Sequence, residues 1–359
     1  MMSPNFDSQF LESNRSIGDP VADRVVYELL KTKGHNYLRE LMPFLGDFRN
    51  VDYYSQDPIL QAYFNQNSVL PTWADLKRID NACNLFKSYF IPIGMALGCY
   101  ALPYCYLAAD GAQVLHLSRR IKDDTTKRIM ETSDFVNGVL DKNDWYNGKN
   151  LIRILKVRLL HAMIRGFASQ SKQWQAEWGL PINQEDMAGT NLAFSYISIT
   201  GLRKMGYRIS TQKQEDYIHT WAVIGAIQGI RTELLPQNLE QSMLLDKQIA
   251  RRLFKESEVG KDLMKSLIRG LQEIKPYPII KNLPIAQARI LLGNEYAKML
   301  GLPRYRFEEG LIKTMTYMNS GYNAIKDFFK LQNNRFVIAI ENFFYHNILA
   351  THIHETNPA

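Results

Sequence analysis

From Ser88 to Ala109 the chain reads SYFIPIGMALGCYALPYCYLAA, 22 residues without a charged side chain. A segment of that length has two physical homes. It can cross a bilayer, which takes roughly 20 apolar residues, or it can be the central helix of a fold large enough to cover it all round. This stretch carries Pro92, Pro103, Gly94, Gly98 and several tyrosines, and the chain has no second stretch like it. Those features favour a buried helix, broken near Pro103, over a span. A chain of 359 residues has the mass to bury such a helix. An anchored protein using Ser88–Ala109 as its span is the competing reading.

The rest of the sequence supplies helices to do the covering. DRVVYELLKTKGHNYLRELMPFL (23–45), WADLKRIDNACNLFKSYF (73–90) and KDLMKSLIRGLQEI (261–274) all carry apolar residues at three- and four-residue spacing. Asp75 and Asp80 stand early in their helix and Lys87 late, as the helix dipole prefers. Strand-like alternation is nearly absent: RFVIAI (335–340) is the best case, and it runs on into a helical pattern. Breakers fall at 142–150, 178–186, 275–284 and 301–305, none long or polar enough for an interdomain linker. The expectation is a single all-α domain over 1–359, with flexible ends at 1–16 and 351–359.

Composition removes several classes of function. Hydrophobic residues make up 46% and charged residues 22%, as in an ordinary globular protein. The net charge of +7 is spread thinly, with no cationic run to grip nucleic acid. Cys83, Cys99 and Cys105 are odd in number and lie in one apolar region, so buried reduced thiols are expected rather than a disulfide framework or a zinc site. No CxxCH is present for covalent haem attachment. The first twenty residues are polar, which reads as no signal peptide and a cytoplasmic protein. Hydrolase, phosphate-loop and dinucleotide-binding fingerprints are missing, as are the Glu-x-x-His pairs of a di-iron bundle. The tail HIHE (352–355) could pick up a stray metal, and His219 reads as a hydrogen-bonded histidine.

Two helical faces carry chemistry. In VRLLHAMIRG (157–166), His161 shares a face with Arg158 three residues before it and Arg165 four after. An apolar helix face with one histidine is satisfied by a core role. The same face also offers what a haem needs: one axial imidazole, an apolar slot for the macrocycle, and cations for the propionates. In TTKRIMETSDFV (125–136), Arg128, Glu131 and Thr132 share a second face. It is either a solvated stripe or a polar patch turned inward over a cofactor.

Arg128-x-x-x-Thr132, then VRLLHAMIR, then WGLPINQEDMAGTNLAFSYISITGLRKMG (178–206), resembles the latex clearing protein (Lcp) and mycophenolic-acid oxygenase (MpaB-like) family, the rubber-oxygenase catalytic domain. The resemblance continues through YIHTWAVIGAIQGIRTELLP (217–236) and ARILLGNEYAKMLGLP (288–303), and upstream through GDPVADRVVYEL (18–29) and VLPTWADLKRIDNA (69–82). It covers most of the chain, and LPINQEDMAGT is its most distinctive block. It implies a globin-like multi-helix domain enclosing a non-covalent b-type haem, with O2 as co-substrate. The family's proximal iron ligand matches His161, and its distal arginine and threonine match Arg128 and Thr132. Where the latex clearing branch has a lysine able to occupy the sixth iron position, this chain has Glu131. The branch's glutamate base has no aligned counterpart, Asp110 being the nearest acid.

These readings give an expected haem b-dependent oxygenase acting on a small apolar, olefinic substrate. His161 would be the metal ligand, with Arg158 and Arg165 on the propionate side and Arg128, Glu131 and Thr132 distal. The alternative is a haem-binding sensor or carrier without turnover. Neither nucleic acid nor stable membrane insertion is expected, and the sequence leaves the oligomeric state open.

Overall fold

In the computed structural model, which describes residues 6–50, 57–117, 125–274 and 281–329, the regular elements are helical. Among the described residues the one β feature is an isolated bridge between Ala108 and Phe254. In chain order the helices are α1 (Ser8–Asn14), α2 (Pro20–Gly46), α3 (Pro58–Asn67), α4 (Leu76–Ser88), α5 (Phe90–Tyr106), α6 (Ala112–Leu117), α7 (Thr125–Val139), α8 (Lys142–Tyr146), α9 (Lys149–Ser169), α10 (184–204), α11 (Thr211–Ile227), α12 (Leu239–Leu253), α13 (Glu258–Ile274), α14 (Leu283–Met299) and α15 (Arg306–Phe329). The strand candidate at 335–340 and the histidine tail at 352–355 lie outside the described residues.

Local chemistry sets many of the helix starts. Asp7, Asp19, Asp57, Asp75, Asp141, Asn183 and Asn238 each sit in extended conformation and accept hydrogen bonds from the first turn of the helix that follows. At Asp19-Pro20 and Asp57-Pro58 the proline occupies the position where a missing N–H costs nothing. The 23–45 pattern is not one straight helix: Gly34 at φ 81° breaks α2 into two arms, a conformation that glycine adopts without penalty.

The uncharged stretch turns at a different place from the one expected. Its corner is Tyr89, where α4 and α5 meet at 89°. Pro103 is carried inside α5 because a π turn (Leu97–Ala101) precedes it, with the Leu102 amide bonded to the Leu97 carbonyl. One extra residue in the turn shifts the hydrogen-bond register just before the proline, which cannot donate. Among the described residues no single helix is long and apolar enough to cross a membrane; α4 and α5 pass that test only when summed across their corner. Ile93, Ala96, Ala101 and Leu107 are essentially inaccessible, so this segment is the core the rest of the chain covers.

A second π turn, Ala193–Ile197 within α10, packs against the first. Gly201 permits this approach: a Cβ there would lie 2.9 Å from Ala96 Cβ. Helix α9 runs along α2 and touches α3, α7, α8 and α11. It thereby places 157–166 in the middle of the fold. Two loop expectations are corrected. Residues 6–16 are not a loose end, since Phe6, Leu11, Asn14 and Arg15 are buried under α10 and α12. The breaker at 142–150 contains α8, which docks through buried Trp145.

Candidate functional site

His161 lies deep in the fold on α9, yet the residue still borders open space. Its Nδ1 is buried, and among the described residues it has no hydrogen-bonding partner. Burial pushes the imidazole pKa down to about 4, assisted by the Arg165 charge and by Arg128, while Asp19 opposes. The ring is therefore neutral near pH 7 and keeps a lone pair free to bind a metal.

The flanking arginines are committed elsewhere. Arg158 grips Asp19 with Nε–Oδ2 at 2.5 Å and Nη2–Oδ1 at 2.8 Å, and its Nη1 donates to the Ile227 carbonyl at 3.3 Å. Arg165 donates from Nε to Asp23 at 2.9 Å and from Nη1 to the Ile182 carbonyl at 2.7 Å, and among the described residues its buried Nη2 has no partner. Both were expected on the propionate side. Instead the geometry makes them struts that tie α9 to the start of α2, and only Arg165 keeps an unengaged donor. The signal in the sequence was Asp19 and Asp23, spaced four apart at the head of α2 and so on one face.

The distal candidates converge from α7. The Arg128 charge reaches His161, Cys105 and Tyr106, and α7 packs against α9. Cys105 also lies deep while bordering open space, and burial raises its thiol to about 12. Tyr106 is raised to about 12 for the same reason. Glu131 and Thr132 sit half-buried one turn along the same helix. Asp110 is turned to Lys255 at 3.1 Å. His219 accepts from the Asp75 amide at 2.9 Å, as expected, and lines a separate 130 Å³ cavity with Trp73 and Arg78. Among the described residues no group of three or more His, Cys, Asp or Glu side chains could hold a bare metal ion, so a metal at His161 needs its other ligands from elsewhere.

The block LPINQEDMAGT touches the α9 struts through the Ile182 carbonyl and otherwise ties distant segments together, a role that sequence reasoning missed. Gln184 donates to the Gly18 and Gly229 carbonyls at 2.7 and 2.9 Å and accepts from the Arg231 amide at 2.9 Å. Glu185, fully buried, is held between Arg15 at 3.5 Å and Arg252 at 2.8 Å. Asp186 accepts from Arg15 at 3.2 Å and from Asn183 at 2.7 Å, with burial lifting its pKa to about 6. Four polar residues in a row, Asn183 to Asp186, between Ile182 and Met187 were the available signal.

The all-α frame and the sequence that builds it match one described family. Residues 93–318 match the family described as "ER-bound oxygenase mpaB/B'/Rubber oxygenase, catalytic domain", and the chain belongs to that family. The rubber oxygenase of Streptomyces sp. (strain K30) is 24% identical over 259 residues, covering 71% of this chain and 63% of that one. The chain thus spans less than two thirds of that relative's length. The solved structure of a latex clearing protein in the closed state matches with a TM-score of 0.72 over 86% of this chain and 84% of the other. At 22% identity, that likeness shows the fold.

Proposed function

We propose that the chain is a haem b-dependent oxygenase that uses O2 to oxidise or cleave a small apolar, olefinic substrate. The observation that carries this reading is His161: a half-buried, neutral imidazole whose Nδ1 has no hydrogen-bonding partner among the described residues. When bound, a haem at His161 supplies one metal centre at which O2 can be activated.

The chain's own residues then have distinct tasks. The struts Arg158–Asp19 and Arg165–Asp23 fix α9 and so fix the direction of the imidazole. Arg165 Nη2 is the one donor of that pair able to meet a carboxylate of the cofactor. Arg128, whose charge reaches His161, can stabilise negative charge that develops on oxygen atoms near it. Thr132 can pass a proton, and Glu131 can hold one. The apolar walls contributed by α5 and α9 exclude water and suit a substrate that offers no charge to grip.

The test is substrate-dependent oxygen uptake by the purified haem-loaded protein with olefins of increasing length. Uptake above background, reduced at least tenfold in Arg128→Ala with haem content unchanged, is expected, that being the usual effect of removing one stabilising donor. Haem binding with no uptake on any olefin would favour the sensor or carrier reading instead.

A further inference from the structure

A second concentration of chemistry lies on the far side of α5 from α7. Tyr104 is buried and donates its phenolic proton to Asp246 Oδ1 at 2.9 Å. Its ring meets Tyr100 at 5.7 Å, Phe254 at 4.7 Å and Tyr296 at 6.0 Å between centroids. Asp246 is faced by Tyr100 and Tyr104 of α5, by Tyr196 and Lys204 of α10, and by Tyr296 of α14, with Arg203 acting on Tyr196. Lys204, the cation that acts on Asp246, donates to the Tyr100 hydroxyl at 2.9 Å and the Leu291 carbonyl at 2.5 Å. Asp246 is therefore half-buried and, among the described residues, has no ion pair at salt-bridge distance, though the Lys204 charge reaches it. Such a carboxylate is a stronger base than one in water.

A buried Tyr–Asp hydrogen bond alone is ordinary packing. Here the Asp246 charge reaches four tyrosines, with Lys204 opposing it, Tyr104 bonds it directly, and the set spans a gradient of depth. Tyr104 belongs to the same helical turn as Cys105 and Tyr106, which face Arg128, whereas Tyr196 and Tyr296 are half-exposed. We propose that Tyr104 and Asp246 form a proton-coupled redox pair, feeding a tyrosine relay that carries oxidising equivalents from the core to the surface. The source of those equivalents inside the protein rests on the oxygenase reading above; the pair itself does not.

The step balances within the pair. A one-electron oxidant takes an electron from the Tyr104 ring as the phenolic O–H bond breaks, and the proton crosses to Asp246. The products are a neutral phenoxyl radical and a carboxylic acid. Tyr104 then recovers an electron from Tyr296 or Tyr196 and its proton from Asp246. The surface tyrosine releases a proton to solvent and is reduced there by a one-electron donor of the thiol or ascorbate class. Asp246, raised to about 6 by burial against the countering Tyr104 hydrogen bond and Lys204, is ionised and ready to accept at neutral pH.

The test oxidises the full-length protein with photogenerated ruthenium(III) tris-bipyridine. It reads the tyrosyl radical by electron paramagnetic resonance and the protonated carboxyl group by infrared difference spectroscopy. The expected result is a radical accompanied by a new carboxylic-acid carbonyl signal. Asp246→Asn loses that signal and forms the radical about tenfold more slowly, as expected for loss of a charge-assisted acceptor; Tyr104→Phe loses the signal while retaining the wild-type circular dichroism. A wild-type radical with no carboxyl signal, or a carboxyl signal undiminished in Tyr104→Phe, would overturn the proposal. Because the oxidant is added from outside, failure here leaves the oxygenase reading intact, and absence of oxygen uptake leaves this pair intact.

Discussion

Replacing Asp19 by Asn changes one charge at nearly constant shape, at the joint between α2 and the helix that carries His161. Asp19 is 3% exposed and Arg158 12% exposed as side chains, so this ion pair is largely desolvated. Removing one partner of a buried pair leaves the other charge uncompensated, at a cost of about 4 kcal/mol. Asn restores one neutral hydrogen bond, worth about 1 kcal/mol, and keeps the cap that Asp19 Oδ1 provides to the Val21 and Ala22 amides. The expected loss for Asp19→Asn is therefore about 3 kcal/mol. For Asp19→Ala, which also forfeits the cap, it is about 5 kcal/mol. Equilibrium urea denaturation of wild type, both variants, Arg158→Met and the Asp19→Asn/Arg158→Met double variant measures this directly. The double variant should be more stable than Asp19→Asn alone, since it no longer buries a lone guanidinium. A loss below about 1 kcal/mol in Asp19→Asn would refute the reasoning, for it would mean the pair behaves as a surface ion pair.

Two further predictions follow from the same interior. Gly229 has φ +85°, and a Cβ there would collide with the Asp19 carboxylate and lie 2.8 Å from Arg158 Nε; Gly229→Ala should therefore cost at least about 2 kcal/mol in the same denaturation assay. In the cofactor-free chain, His161 and His219 fall from 6.5 to about 4, so on acidification from pH 6.5 to 4 the unfolded state gains protons first and stability is lost. Asp186 and Asp246 rise from 3.8 to about 6, so the folded state takes protons first over pH 6 to 4 and stability is gained. The two effects oppose in the wild type. Asp246→Asn removes part of the gain, and its melting temperature should fall more steeply than that of the wild type between pH 6 and 4; parallel curves would contradict the assignment.

The sequence disclosed the helical class and the central position of 88–109, because an uncharged stretch in a chain this size has few places to go. It misplaced the break: a proline is the conspicuous breaker, but the π turn that accommodates Pro103 has no composition of its own, and Tyr89 at the corner is an unremarkable residue. His161 and Arg128 were legible as members of two helical faces, and the fold brings those faces within electrostatic reach of each other. Spacing along one helix cannot show that Asp19 and Asp23, some 140 residues earlier, arrive opposite Arg158 and Arg165, so these two ion pairs were not legible. The Gln184–Glu185–Asp186 frame was visible as a motif, but its task depends on Arg15 and Arg252 from distant helices.

The central claim is that the His161 imidazole binds a haem iron. The measurement that tests it most directly is the absorption spectrum of the purified, haem-reconstituted protein beside that of His161→Ala, with the fold of both checked by circular dichroism. The account predicts a Soret band in the wild type that is lost or strongly shifted in the variant. An identical Soret band in both proteins, or none in either after reconstitution, would contradict it.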